Sequence, residues 1–348
     1  MALVRRRKTA KVAEEVAEAT KLPVDSVFGV PIAVDKVVST GSTLLDLAIS
    51  GKRRRGGGIP GGVLVEVFGP AGSGKTAVLA EICASAQYHG GSVMFLDPEA
   101  RLDQEYARIY GLSLTGEGDY SRPDTVTQVF EEIRGWDPQP SNPEAISVVG
   151  VDSLAALSTE MELAEGDKMG MRRAKEFSQE LRKTCRLIAN NGWLIVCTNQ
   201  IRESQEKGEV TPGGRGIPFY ASLRIRVAQK NKLTKTKRFG SKEIVKTIGI
   251  RSEAVIVKST VDDPFRTAPL FIVFGVGIDD VRGNLVWLKE VTGSKRYDCL
   301  DREFAYIDKA IEYIEQKGYE GQLRERVIEM WEKIEREFVI SRKPKERW

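Results

Sequence analysis

Gly69-Pro70-Ala71-Gly72-Ser73-Gly74-Lys75-Thr76 follows the run Val63-Leu64-Val65-Glu66-Val67-Phe68, and the two together decide the fold. The run is nearly all apolar, the pattern of a parallel strand buried on both faces. The octapeptide fits G-x-x-x-x-G-K-[ST], a phosphate-binding loop. Its glycines allow a tight turn that aims successive N–H groups at a β-phosphate, and the helical stretch behind it, beginning at Ala77, adds the positive end of its dipole. In such a loop Lys75 reaches the β- and γ-phosphates and the Thr76 hydroxyl ligates Mg²⁺.

Outward from the loop, strand-like runs alternate with helical segments. Residues 93–97, 146–152 and 194–198 read as further strands, and the long crossovers between them predict an α/β fold: a mostly parallel, twisted sheet covered by helices on both faces. Runs at 223–227, 254–257 and 270–274 lie closer together and predict antiparallel additions. After Gly275 the pattern changes to two helices, 302–317 and 322–338, the second with Leu323, Val327, Trp331, Ile334 and Phe338 on one face. Ahead of the core, residues 9–20 read as a short amphipathic helix followed by a β-like stretch. The expected division is an arm over 1–38, a core over 39–275 and a small C-terminal domain over 276–348.

The chain has 348 residues, 41% of them hydrophobic, enough for at least one large core. No stretch approaches a membrane span and the first residues carry no apolar signal core, so a soluble cytoplasmic protein is expected. One histidine, His89, excludes histidine triads and histidine metal clusters. Acid–base chemistry therefore falls to carboxylates. Cys83, Cys185, Cys197 and Cys299 are scattered, as buried reduced thiols would be. The net charge is only +4, but cations concentrate at 5–8, 52–55, 224–246 and 342–347, so a polyanionic partner is plausible beside the plainer reading of solvated loops.

Three strand ends carry the candidate chemistry. Asp152 closes an apolar strand, as expected of the residue that holds a Mg²⁺ shell. Glu99, in Asp97-Pro98-Glu99, is placed to polarise the water that attacks a γ-phosphate. Either acid could equally be a helix cap. Gln200 sits one residue past its strand, where an amide could contact the γ-phosphate and report it to the polypeptide that follows. That polypeptide, 203–216, is glycine-rich with almost no apolar anchor, and a second irregular stretch covers 161–171. Between them a helix from about 172 to 190 sets Arg172, Lys175, Gln179, Arg182 and Arg186 on one stripe and Ala174, Phe177, Leu181, Cys185 and Ile188 on the opposite one. A basic stripe flanked by two loops points to a phosphodiester track.

Taken in order, Ser39-Thr40-Gly41-Ser42, Asp97-Pro98-Glu99-Ala100-Arg101-Leu102-Asp103 with Tyr106-Ala107-Arg108, Val151-Asp152-Ser153-Leu154-Ala155-Ala156-Leu157, Asn199-Gln200-Ile201-Arg202 and Phe219-Tyr220-Ala221-Ser222 resemble the motifs of the RecA family of homologous-recombination ATPases. The resemblance implies an ATP- and Mg²⁺-dependent recombinase that polymerises on single-stranded DNA and exchanges it with a homologous duplex. It makes Glu99 the catalytic carboxylate, Gln200 the γ-phosphate sensor, and Asp103 and Tyr106 contacts to adenine. The stretches at about 160–172 and 202–218 become DNA-binding loops, with Met169, Gly170, Arg172 or Arg173, Ser178, Arg182, Arg202, Gly213 and Gly214 at DNA-contacting positions. The arm becomes the segment that docks one protomer on the next.

Lys258 matches one of the two lysines by which bacterial members reach a neighbour's ATP, whereas Thr260 replaces the other. Asp263 and Pro264 fall where an Asp-containing segment caps the neighbouring nucleotide in archaeal and eukaryotic recombinases. The C-terminus is basic where many bacterial members are acidic. The resemblance is therefore to a divergent member. The rival expectations are a ring-forming helicase or loader on the same core, and a regulatory paralogue.

Overall fold

Strand β3 (Val63–Gly69) is buried along its whole length, and its side chains divide by parity. Val63, Val65 and Val67 enter one apolar cluster and Leu64 the other, so the strand is covered on both faces. The computed structural model describes residues 36–159, 162, 170–204, 208–339 and 342. The expected helix at 9–20, most of the arm, Met169 and most of the basic C-terminus lie outside them.

Among the described residues the main sheet has nine strands. Six run parallel, in the order β10 (Leu223–Phe239), β3, β7 (Leu194–Gln200), β6 (Val148–Val151), β4 (Val93–Leu96) and β5 (Tyr120–Ser121). Beyond β10 the sheet continues antiparallel through β11 (Lys242–Ser259), β12 (Thr267–Val273) and β13 (Gly277–Ile278), as expected for the runs at 254–257 and 270–274. The run at 223–227, expected among the antiparallel additions, instead pairs parallel with β3, because its crossover from β7 returns it beside the central strand. On one face pack α1 (Thr43–Ser50), α2 (Lys75–Tyr88), α7 (Asp280–Thr292), α8 (Ile307–Lys317) and α9 (Glu320–Glu337). On the other lie α4 (Val126–Gly135), α5 (Gly170–Asn191) and α6 (Gly216–Tyr220). Local signals start these helices: the Thr125 side chain accepts from Gln128 N while the Gln128 side chain returns to the Thr125 backbone, a reciprocal cap at the head of α4.

Three features depart from the sequence reading. The strands predicted at 223–227 and 254–257 are the inner ends of a long hairpin, β10–β11, paired out to Phe239 and Lys242. On β10 its outer half alternates Lys with Thr, and on both strands nearly all of it is exposed, so it lacks a hydrophobic period; the backbone ladder and a Lys235–Asp308 ion pair at 4.0 Å hold it. Helix α7 went unread between β13 and the C-terminal pair. It is capped by Asp279, whose side chain accepts from Arg282 N at 2.9 Å, and is followed by a small pairing of β14 (Tyr297–Asp298) with β15 (Glu303–Phe304). On α9, Leu323 and Val327 are buried as expected, but Phe338 just past its end is exposed. The buried residues of α8 and α9 share one apolar cluster with Leu45 and Val78 of the core. Cys83, Cys197 and Cys299 are buried, and burial pushes the Cys299 and half-buried Cys185 thiols up to about 11.

Candidate nucleotide and DNA-binding site

The parallel strands all deliver their carboxyl ends to one edge, where ligands of open α/β sheets bind. Strand β3 runs straight into the loop at Gly69, whose φ is +155°; a Cβ there would fall 1.9 Å from the Val227 carbonyl oxygen. Only glycine lets β10 pass this close. Across the loop Ser252 Oγ of β11 donates to the Ser73 carbonyl at 2.8 Å, a restraint that no motif in the sequence announces. Helix α2 then begins at Lys75 behind Gly74, with no side-chain cap on its first turn, so those N–H groups are available to an anion.

Lys75 is buried, and its Nζ donates to the carbonyls of Gly69 (3.1 Å) and Pro70 (2.8 Å). Burial lowers its pKa, while the charges of Asp152 and Glu99 push the other way. Asp152, just past β6, accepts from Thr76 Oγ1 at 2.7 Å and from Thr198 Oγ1 of β7. Burial raises its carboxyl, opposed by those two hydroxyls. Glu99, past β4, accepts on Oε1 from Ser153 Oγ (2.5 Å) and Gln200 Nε2 (3.4 Å), and Arg101 Nη1 lies 3.0 Å from Oε2. Lys75, Thr76, Glu99, Asp152 and Gln200 thus meet at one edge of the sheet, drawn from four strands. Gln200 is itself the last residue of β7, not one past the strand, because β7 stays paired with β3 to Gly69.

A cavity of about 440 Å³ opens from this cluster between the loop and β12, lined by Gly72, Thr76, Ala77, Tyr106, Tyr110 and Ile272 among others. Its outer wall, Ile272 to Gly275 with Ile250 of β11, was missed in the sequence, where residues 270–274 read only as a strand. The Tyr110 hydroxyl donates to the Tyr106 hydroxyl at 2.9 Å, and burial raises the pKa of both phenols. Asp103 takes a different place: its carboxylate accepts from Tyr106 N at 2.7 Å as the cap of α3 (Gln104–Ile109), and it lines a neighbouring cavity with Arg108 and Arg122.

The strand end that carries Gln200 is tied to the segment beyond it. Asn199 Nδ2 donates to Glu66 Oε1 (2.9 Å) and to the Pro212 carbonyl (3.0 Å), and the buried Glu66 pairs with Arg224 Nε at 2.6 Å. The expected loose segment is in part paired: its backbone forms a short hairpin of β8 (Arg202–Ser204) and β9 (Gly208–Val210) before reaching Gly213 and Gly214. Gly214, at φ +67°, lies against α5, where a Cβ would come 2.5 Å from that of Ala174. On α5 the predicted faces hold: Lys175, Gln179, Arg182 and Arg186 are exposed, Phe177, Leu181 and Ile188 buried, and Arg172 half-buried. Arg173 Nη1 donates to the Leu157 carbonyl at 3.0 Å, and Ser178 Oγ to the Ala174 carbonyl at 2.9 Å. Gly170 opens the helix.

The remaining predicted residues lie apart from the cavity. Lys258 Nζ donates to the carbonyls of Pro218 (2.9 Å) and Phe219 (2.8 Å). Asp263, beside Pro264, pairs with Lys52 Nζ at 2.6 Å, and that partner lowers its pKa. Among the described residues no cluster of three or more His, Cys, Asp or Glu could hold a metal. One carboxylate and one hydroxyl are instead the sparse oxygen set that suits Mg²⁺ shared with phosphates.

Comparison with known proteins gives the family. The RecA N-terminal domain family matches residues 29–279, which span the phosphate loop, all three strand-end acids and amides, and the basic helix. Protein RecA of Deinococcus radiodurans is 35% identical over 305 residues, covering 84% of this chain and 79% of its own. Protein RecA of Nostoc sp. is 33% identical over 327 residues (88% and 83%), and that of Thermus thermophilus 36% identical over 251 (70% and 69%). With the family model matched over residues 29–279 and likeness to curated RecA proteins over most of its length, the chain belongs to the RecA family.

Proposed function

We propose that this RecA-type, ATP-dependent strand-exchange protein binds ATP and Mg²⁺ in the cavity beside the phosphate loop and couples that binding to its grip on single-stranded DNA. The contact that carries the coupling is the hydrogen bond of Gln200 Nε2 to Glu99, on a strand end whose neighbour Asn199 holds Pro212 at the root of the DNA segment. A triphosphate in the loop offers Lys75 phosphate oxygens in place of the Gly69 and Pro70 carbonyls. It offers the Gln200 amide a γ-phosphate oxygen in place of Glu99. Gln200 then moves with β7, and the segment from Arg202 to Gly214 moves with it. Thr76 and Asp152 would hold Mg²⁺, which supplies charge neutralisation on the β- and γ-phosphates.

For hydrolysis Glu99 orients a water on the γ-phosphorus and takes its proton as the new P–O bond forms and the bond to the β-phosphate oxygen breaks, leaving ADP and phosphate. Loss of the γ-phosphate returns Gln200 to Glu99. Arg172 or Arg173, Arg182, Arg202 and loop amides supply the phosphate contacts to DNA; contacts of this kind tolerate any sequence and leave homology to base pairing. Lys258, Asp263 and Pro264 serve the neighbouring copy's nucleotide, the arm over 1–38 docks protomers into a filament, and 276–348 act as an accessory domain. We place the protein in the cytoplasm; no described helix is long and apolar enough to cross a membrane. Lys75→Ala tests the scheme: it is expected to abolish ATP-dependent filaments and strand exchange, and normal filaments in that variant would refute it.

A further inference from the structure

Glu99 sits in a turn whose construction brings a cation onto it. Ala100 N donates to the Asp97 carbonyl at 3.0 Å and Leu102 N to Asp97 Oδ2 at 2.9 Å, which closes the chain around the end of β4. Between them Ala100 has φ +52°, a left-handed conformation that residues with a Cβ rarely adopt. The reversal places Arg101 Nη1 3.0 Å from Glu99 Oε2, although the Arg101 side chain is 79% exposed and Glu99 only 16%. Oε1 is already engaged by Ser153 and Gln200. Oε2 is therefore the oxygen left to receive a proton from the attacking water, and it is the one that the guanidinium covers.

We propose that Arg101 is a positioning residue, a latch that holds the Glu99 carboxylate against Ser153 and withholds Oε2 from water, and so slows ATP hydrolysis in the absence of DNA. The inference rests on the assignment of Glu99 as the water-activating carboxylate. Because its guanidinium partner is mostly open to solvent the pair is weak, and its opening costs little once DNA engages the segment beyond Gln200. A latch of that strength changes a rate by about two- to fivefold.

The experiment is steady-state ATP hydrolysis by Arg101→Gln, Arg101→Lys and Glu99→Gln, each with and without single-stranded DNA. Arg101→Gln is expected to raise the DNA-independent kcat about two- to fivefold, with KM for ATP and the DNA-stimulated kcat unchanged. Arg101→Lys, which keeps the charge, restores most of the restraint. A fall in kcat under both conditions, a rise in KM, or an unchanged DNA-independent rate overturns the latch. Glu99→Gln separates the two readings: it is expected to abolish hydrolysis, and if it does not, the assignment of Glu99 fails. If Glu99→Gln is inactive while Arg101→Gln behaves as wild type, only the latch fails.

Discussion

Arg224→Met removes one half of a buried ion pair and puts a number on the network behind Gln200. Glu66 is fully buried on β3, and its oxygens are held by Arg224 Nε at 2.6 Å and Asn199 Nδ2 at 2.9 Å. Methionine keeps the length of the stem over Phe68, where the guanidinium now lies 4.4 Å from the ring centroid, but leaves the carboxylate with one neutral donor. Breaking a buried pair from one side costs about 3–5 kcal/mol. Protonating an ordinary glutamate at pH 7 costs about 4 kcal/mol, which caps the loss, so about 3–4 kcal/mol is expected. The assay is urea denaturation of wild type, Arg224→Met, Glu66→Gln and the double variant. The double variant leaves no charge of this pair buried, so it should be more stable than the sum of the single losses by about 2 kcal/mol or more. Additive losses, or an Arg224→Met variant within about 1 kcal/mol of wild type, would refute the reasoning.

Glu81 on α2 accepts from Ile278 N at 3.1 Å, and burial pushes its carboxyl up from 4.5 to about 7. The folded chain therefore holds this proton where the unfolded chain has lost it, and stability falls as pH rises from about 4.5 to about 7, by at most about 3 kcal/mol. Glu81→Gln should flatten that part of the stability–pH curve in thermal melts at pH 5 and pH 8; an unaltered slope would show that another group is responsible. Arg182→Ala removes a cation from the exposed stripe of α5. It should weaken binding of all single-stranded oligonucleotides alike and reduce the slope of log K against log salt by about 0.7, and a sequence-selective loss would count against a phosphate contact.

That Lys75, Thr76, Asp152 and Glu99 lie at one edge of the sheet was legible because each is bound to its neighbours in the chain. Lys75 and Thr76 follow Gly74 by the geometry of the loop, and Asp152 and Glu99 fall where apolar strands end. What pairs them across strands was not legible: Thr198 on Asp152, Ser153 on Glu99 and Ser252 on Ser73 are contacts between elements distant in sequence, made by residue types found everywhere. The cavity wall from Ile272 to Gly275 stayed hidden for the same reason, since only the fold brings β12 to the loop. The basic stripe of α5 was legible because burial of Phe177, Leu181 and Ile188 fixes the opposite face. The outer half of β10–β11 was not, because a two-stranded ribbon exposed on both faces leaves no apolar period to read.

The affinity of the wild-type chain for a short single-stranded oligonucleotide, titrated with ADP, with a non-hydrolysable ATP analogue and with no nucleotide, bears most directly on the role assigned to the phosphate loop. Tight binding only with the triphosphate, accompanied by growth of the particle beyond a monomer, is the predicted result. Equal affinity in all three titrations, on a chain that stays monomeric, would contradict it.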